Sequence, residues 1–177
     1  MKIFIDAGHN WSGCDTGAIS NGVREQDLTF IIAKKLNTLL SLSGHEVYMS
    51  RNKLEDNIGT SVTDSLKKRC IMSDVWGADL FISIHTNAGG GKGTETYVYN
   101  KKSRSYDTAL RIQKEITTTL GTIDRGVKEK ESLYVLRNVK APAILVETAF
   151  LDNDEDRDKL LYKADDFALA IKRGITG

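Results

Sequence analysis

The chain has 177 residues, of which 40% are hydrophobic and 28% are charged, a composition typical of one soluble globular domain with a single core. Its 25 Lys and Arg residues balance 24 Asp and Glu residues to a net charge of +1, which argues against nucleic acid or an anionic membrane surface as the main partner. No apolar run approaches the ~20 residues of a membrane span, and two cysteines, Cys14 and Cys70, are too few for a disulfide framework.

The chain starts with Met1 and Lys2 and runs directly into "IFID", without the apolar core or cleavage site of a secretory signal. We therefore expect a protein that is made in the cytoplasm without a signal peptide. No repeat, low-complexity segment or shift of composition marks a second domain, so residues 1–177 are expected to form one domain.

Short β-branched or aromatic runs alternate with longer amphipathic segments, which is typical of an α/β fold. Strands are predicted at Lys2–Asp6, Glu46–Ser50, Leu80–Ile84, Thr94–Tyr99, Leu133–Leu136 and Ala143–Glu147, and helices at Glu25–Ser41, Val62–Trp76, Ser105–Leu120 and Asp154–Arg173. The runs "LFISI" and "AILV" are almost entirely apolar, as expected of strands covered on both faces. The prediction is a single α/β domain with a mainly parallel, twisted sheet of about six strands and helices on both faces.

Three polar side chains follow apolar strands of this predicted sheet. His9 comes just after "KIFID", His85 ends "LFISIH", and Glu147 ends "AILVE". Because ligands bind at the carboxyl ends of the strands in open α/β sheets, these groups are expected to converge if their strands are neighbours. Two imidazoles suit zinc, and a catalytic zinc site adds one more protein ligand and leaves a position open for water.

The third ligand is less certain from the residues alone. His45 begins a strand, at the wrong edge of the sheet, and is expected to be structural or exposed. Glu25 starts the first helix after a glycine-rich loop and could fold back over the strand ends, although an acid there is also favoured by the helix dipole. Cys14, in the same loop, is a competing ligand because thiolates bind zinc well.

Several other features of the sequence could have either a structural or a functional role. The "GGGKGT" segment lacks the spacing of a phosphate-binding loop and is expected to be a flexible loop. Asn87, two residues past His85, either holds that histidine or bonds substrate, or it caps a turn. Asp124 and Arg125 either shape a substrate cleft or form a salt-bridged turn.

The blocks "IDAGHN", "EQDLTFIIAKKL", "ADLFISIHTNA", "GTETYVY" and "DRGVKEKESLYVLRNVKAPAILVETAFLDN" resemble the zinc-dependent N-acetylmuramoyl-L-alanine amidases. The resemblance runs from about Lys2 to Ile175 and is to the catalytic domain of bacterial cell-wall hydrolases and phage endolysins. One departure is "NWSGCDTGA", since relatives often have a more glycine-rich start to this loop.

This resemblance implies zinc ligation by His9, Glu25 and His85, and a catalytic acid and base at Glu147. It implies hydrolysis of the amide between N-acetylmuramic acid and L-alanine in peptidoglycan, on the cell wall. Whole enzymes of this kind often carry a separate wall-binding module, which this chain lacks, and we expect a monomeric catalytic domain. Neither nucleic acid nor membrane is expected as a partner. For Glu147, a structural ion pair with Arg137 or Arg125 is the alternative.

Four rival functions make different predictions. A zinc peptidase acting inside the stem peptide would free a different amine, and a metal-free glycosidase would use two carboxylates and create reducing ends. A non-catalytic wall-binding module would not need Glu147. A structural zinc site would have four protein ligands and no open position.

Overall fold

The computed structural model describes all 177 residues, which form one six-stranded sheet covered by helices on both faces and a small two-stranded hairpin. The strands are β1 Lys2–Ala7, β2 Ile19–Ser20, β3 Val23–Arg24, β4 Glu46–Met49, β5 Leu80–Asn87, β6 Thr94–Val98, β7 Asp124–Glu129 and β8 Ala143–Phe150. The helices are α1 Glu25–Leu42, α2 Val62–Trp76, α3 Tyr106–Leu120, α4 Tyr134–Asn138, α5 Asp154–Tyr162 and α6 Ala164–Thr176.

The sheet has the order β4-β1-β5-β8-β6-β7, and its first four strands are parallel. β6 runs antiparallel to β8, and β7 is parallel to β6. The direction of β6 follows from its connection, because residues 88–93 are too few for the crossover of a dozen or more residues that returns a chain to a parallel strand. The first residues of β6 and β7 therefore lie at the same edge as the carboxyl ends of β1, β5 and β8.

Two hydrophobic clusters cover the two faces of the sheet. The larger one joins β1, β5 and β8 to α1, α3 and α6. The smaller one lies under α2 and α4 and includes Phe4 and Phe81, whose stacked rings are 5.4 Å apart between centroids. Burial on both faces explains the apolar runs of the central strands and leaves their carboxyl ends as the place for polar chemistry.

The predicted fold class is confirmed, since the sheet has six strands, is mainly parallel and carries helices on both faces. α1 begins at Glu25 and α2 spans Val62–Trp76, as predicted. None of the helices combines the length and the apolar composition that crossing a membrane requires.

Two predicted elements were wrong, and one edge strand was missed. The segment Leu133–Leu136 is not a strand but belongs to the short helix α4, because four apolar residues do not distinguish the two structures, and here Val135 and Leu136 are buried in the smaller cluster. The predicted helix Asp154–Arg173 is two helices, α5 and α6, which meet at Lys163. The edge strand β7 was not predicted.

Candidate metal centre and active site

His9 lies two residues beyond β1 in a backbone conformation that few residues adopt. Its φ angle is 65°, in the left-handed region that costs most side chains energy. The buried Arg69 of α2 fixes this turn, because Nη2 donates to the His9 carbonyl oxygen at 2.8 Å and Nη1 donates to Asp6 Oδ1 at 2.6 Å. An arginine from a neighbouring helix thus holds His9 above the end of β1.

Glu25 reaches the same place from the opposite direction. The hairpin of β2 and β3 returns the chain to the sheet, and Glu25 is the first residue of α1. Its side chain is buried, with Oε2 accepting from the Ala18 amide and Oε1 accepting from the Thr86 amide, each at 3.0 Å. These bonds aim the carboxylate at the sheet, which a helix-dipole role alone would not require.

The side chains of His9, Glu25 and His85 converge. Glu25 Oε1 lies 3.2 Å from His9 Nε2 and 3.2 Å from His85 Nδ1. The two imidazole rings are 4.8 Å apart between centroids and almost perpendicular, at 81°. The three candidate ligand atoms all lie within 4.8 Å of one another. Two imidazole nitrogens and one carboxylate oxygen therefore face one point, which is the donor set of a catalytic zinc site.

The charges of this group also suit a cation. Burial lowers the pKa of the His9 imidazole, but Asp15 and Glu25 outweigh it and raise the pKa to about 10. Burial raises the pKa of Glu25, but the two histidines outweigh it and hold the pKa well below its usual range. Two carboxylates, those of Asp15 and Glu25, thus lie against the His9 ring.

Behind His9 stands a second carboxylate. Asp15 Oδ1 lies 3.5 Å from His9 Nδ1, and Asp15 Oδ2 accepts a 2.6 Å hydrogen bond from the Ser65 hydroxyl. A carboxylate beside the outer nitrogen of a histidine fixes the orientation of the ring toward a metal. Gly17 packs directly against two of these side chains, because a Cβ there would lie 2.7 Å from Glu25 Oε2 and 2.8 Å from His9 Cδ2. The donor chemistry, the supporting carboxylate and the tight packing together fit a zinc ion.

Glu147 lies beside this group on the next strand. It is paired with His85 in the parallel register of β5 and β8, so both side chains are on the same face of the sheet. Burial raises the pKa of Glu147 to about 7, and its Oε2 is buried without a hydrogen-bond partner. The alternative of a structural ion pair is wrong, since Arg125 pairs with Glu95 and Arg137 forms no ion pair.

The sequence analysis missed Glu95 and Lys128 and left the role of Arg125 open. Glu95 is the antiparallel partner of Glu147 on β6 and is almost fully buried. Arg125 Nε and Lys128 Nζ both donate to Glu95 Oε2, at 2.7 and 2.5 Å, and the Tyr97 hydroxyl donates to Oε1 at 2.6 Å. The search for acids at carboxyl ends could not find Glu95, because its strand starts at this edge.

A crevice of about 230 Å³ opens over the two histidines and is walled on its other side by Leu66, Leu133 and Tyr134. Larger cavities of about 290 and 420 Å³ contain neither histidine nor glutamate, so size does not identify the site. The crevice thus places His9 and His85 opposite a partly apolar wall.

Two residues weighed as ligands lie outside the convergent group. His45 begins the turn into β4, at the amino edge of the sheet, where Glu46 pairs with Lys2. The Cys14 thiol lies near Asn10 Nδ2 and the Gly59 carbonyl, at 3.8 and 3.9 Å. Neither belongs to the group that could hold a metal.

The remaining features have structural roles. Asn87 donates to Glu95 Oε1 at 2.8 Å and accepts from the Ala88 amide, so it caps a turn and supports Glu95. Asp124 Oδ1 accepts from Gln113 and from the Gly126 amide, which makes a turn. In the glycine-rich loop, the carboxylate of Asp152 accepts from two successive glycine amides, which leaves no cradle for phosphate.

Comparison with known proteins agrees with this geometry. A family model described as N-acetylmuramoyl-L-alanine amidase matches residues 3–177. The amidase CwlM of Bacillus licheniformis is 39% identical over 175 residues, which cover 98% of this chain and 65% of CwlM. The endolysin of Bacillus phage SPP1 is 38% identical over 180 residues, which cover 97% of this chain and 62% of the endolysin. The chain thus spans slightly less than two thirds of the length of these relatives.

The fold is shared with solved structures of the same description. The crystal structure of an N-acetylmuramoyl-L-alanine amidase from Clostridium difficile 630 superposes with a TM-score of 0.88 at 34% identity. The superposition covers 98% of this chain and 94% of that one. With matching sequence over nearly its whole length and a matching fold, the chain belongs to the N-acetylmuramoyl-L-alanine amidase family.

Proposed function

We propose that this protein is a zinc-dependent N-acetylmuramoyl-L-alanine amidase that hydrolyses the amide between the lactyl group of N-acetylmuramic acid and L-alanine in peptidoglycan. The observation that supports it most is the convergence of His9 Nε2, Glu25 Oε1 and His85 Nδ1 beside the unpartnered carboxyl of Glu147. The site of action is the cell wall, which agrees with the family of the chain.

His9, Glu25 and His85 would hold the zinc ion, and Asp15 would orient His9. A zinc ion held there supplies a Lewis acid that polarises the scissile carbonyl and acidifies the attacking water. Three protein ligands leave a coordination position open, as catalysis requires and as a structural site with four protein ligands does not.

Glu147 would move the proton. Its Oε2 has no hydrogen-bond partner in the protein, so it is free to accept a proton from the attacking water and to return it to the departing nitrogen of L-alanine. The same carboxyl serves both steps because it lies beside the candidate metal ligands and is paired with His85 across the sheet. General acid and base catalysis of this kind is typically worth about 10²–10⁴-fold in rate.

The geometry disfavours a metal-free glycosidase. Such an enzyme needs two carboxyl groups that act on the substrate, and Glu95, the partner of Glu147, is already bound by Arg125, Lys128 and Tyr97. Glu95 is therefore not available as a nucleophile or base.

The test is to digest purified peptidoglycan with the zinc-loaded protein and to label the new amino termini and the new reducing ends. We expect new amino termini of L-alanine and no increase in reducing sugar. Release of another amino acid's amine would indicate a peptidase, and new reducing ends would indicate a glycosidase; either result would contradict the proposal.

A further inference from the structure

We propose that Arg125 and Lys128 form a subsite for a carboxylate of the peptidoglycan stem peptide, that of the residue following L-alanine. This inference rests on the proposed function and adds a preference among substrates. In peptidoglycan the second stem residue is a glutamate linked through its γ-carboxyl, so its α-carboxyl is either a free carboxylate or an amide. A subsite that binds the carboxylate but not the amide would make the protein prefer peptidoglycan in which this group is a free carboxylate.

The position of the two cations follows from a row of paired residues across the sheet. His85 pairs with Glu147 on β8, and Glu147 pairs with Glu95 on β6. β7 is the next strand, and its residues Arg125 and Lys128 both reach the Glu95 carboxylate. His85, the candidate proton carrier Glu147 and Glu95, which binds the two cations, therefore lie in one row across adjacent strands.

The distances along this row suit a peptide substrate. Neighbouring strands are ~4.8 Å apart, so β7 lies about 10 Å from β8. An extended peptide advances ~3.3–3.6 Å per residue. A stem peptide with its scissile amide at Glu147 and running toward β7 would bring its second residue within reach of the Arg125 side chain.

The charges leave one positive charge without a partner. Glu95 supplies a single carboxylate, and both Arg125 and Lys128 are bound to it. A third cation, Lys130, lies 5.0 Å from the centroid of the Tyr97 ring, on the same side. Two cations therefore share one carboxylate, and a third cation lies beside them.

Arg125 is oriented as a carboxylate receptor. Within the protein only its Nε donates a hydrogen bond, to Glu95 Oε2, and its two terminal amino groups make no hydrogen bond with any residue. The guanidinium is held by Glu95 on one edge and lies 4.9 Å from the centroid of the Phe150 ring, while its side chain is 35% exposed. A guanidinium fixed in this way presents two parallel donors, which is the geometry that binds a carboxylate in bidentate fashion.

The experiment compares two synthetic muramoyl pentapeptides that differ only in the α-carboxyl of the second residue, which is a carboxylate in one and an amide in the other. We expect kcat/KM of the zinc-loaded protein to be about tenfold higher for the carboxylate, as expected for a charge-assisted hydrogen bond that is partly exposed to water. In Arg125→Gln, the ratio of kcat/KM on the carboxylate to kcat/KM on the amide should fall toward one.

The matched control is Arg104→Gln, which removes the same charge beside Pro142, at the amino edge of the sheet. It should keep the preference of the unaltered protein. Equal rates of the unaltered protein on both substrates would overturn the subsite and leave the proposed amidase intact. An equal loss on both substrates in Arg125→Gln would also overturn it, because that is the signature of a structural role. Failure to release L-alanine amine from either substrate and from whole peptidoglycan would overturn the amidase itself.

Discussion

His85 and Glu147 are direct partners in the register of two adjacent parallel strands, β5 and β8. A candidate metal ligand and the candidate proton carrier are thus one strand spacing apart, on the two strands at the centre of the sheet. Because both strands are buried among helices, their relative position depends on the core rather than on a flexible loop. The sheet therefore fixes the two groups relative to each other before any substrate arrives.

Replacing Glu147 separates proton transfer from metal binding. In Glu147→Gln, the amide has the shape of the carboxyl but cannot accept the proton of water, so we expect the rate of amide hydrolysis to fall by about 10²–10⁴-fold. Bound zinc, measured by elemental analysis, and the thermal midpoint should stay close to those of the unaltered protein. Hydrolysis at the normal rate by this variant would remove Glu147 from the mechanism.

Asp15 is expected to act on the metal through His9. Its Oδ1 lies 3.5 Å from His9 Nδ1, so Asp15→Asn keeps the side-chain volume and removes the negative charge behind the ring. Loss of such a supporting carboxylate typically weakens metal binding by about 10–100-fold. The dissociation constant for zinc can be measured by competition with a chromophoric chelator. An unchanged constant would show that Asp15 only supports the loop.

Gly17 is predicted to be required for the geometry of the centre. A methyl group there would lie 2.7 Å from Glu25 Oε2, so Gly17→Ala must displace the carboxylate or the loop, and we expect weaker zinc binding. Gly13→Ala is the matched control in the same loop, because Gly13 has a φ of +75° and open space around it. That control should cost about 1 kcal/mol of stability through its backbone and leave zinc binding unchanged. Equal zinc affinity in both variants would contradict the prediction.

Protonation of Glu95 at low pH should lower the folding stability of the protein. Burial raises the pKa of Glu95, but Lys128, Tyr97 and Arg125 outweigh it and lower the pKa from 4.5 to about 2. Since the pKa is lower in the folded than in the unfolded state, the ionised carboxylate stabilises the fold above pH 4.5, and this contribution is lost as the pH falls toward 2.

Denaturant unfolding of the unaltered protein and of Glu95→Gln at a series of pH values measures this contribution. The difference in unfolding free energy between the two proteins should be on the order of 2 kcal/mol at pH 7 and should shrink between pH 4.5 and 2. A difference that does not depend on pH would mean that the Glu95 charge contributes nothing to folding.

Much of the fold could be predicted from the sequence, because helical spacing and apolar runs are strong signals. The first helix carries its apolar residues at helical spacing, and the buried strands β5 and β8 begin with the almost entirely apolar runs "LFISI" and "AILV". β7 was missed because "DRGVKE" is an edge strand with mostly charged side chains and a single β-branched residue. α4 was mistaken for a strand because a short apolar run fits both structures.

The residues of the candidate site likewise include some that the sequence could predict and some that it could not. His9, His85 and Glu147 could be found because carboxyl ends of buried strands collect polar groups, whereas Glu25 needed the family resemblance before metal ligation was preferred over a helix-dipole role. Glu95 could not be found, and the role of Arg125 stayed open, because the direction of β6 and β7 depends on how the chain turns after β5. Tertiary topology rather than local pattern brings those two residues to the site.

The central claim is that His9, Glu25 and His85 hold a catalytic zinc ion, and metal content measured together with activity tests it most directly. We expect close to one zinc ion per chain, a loss of both zinc and L-alanine release on treatment with chelator, and recovery of both when zinc is returned. In His85→Ala, zinc binding and activity should both fall sharply. Full hydrolysis by protein that has been freed of all metal would contradict the account.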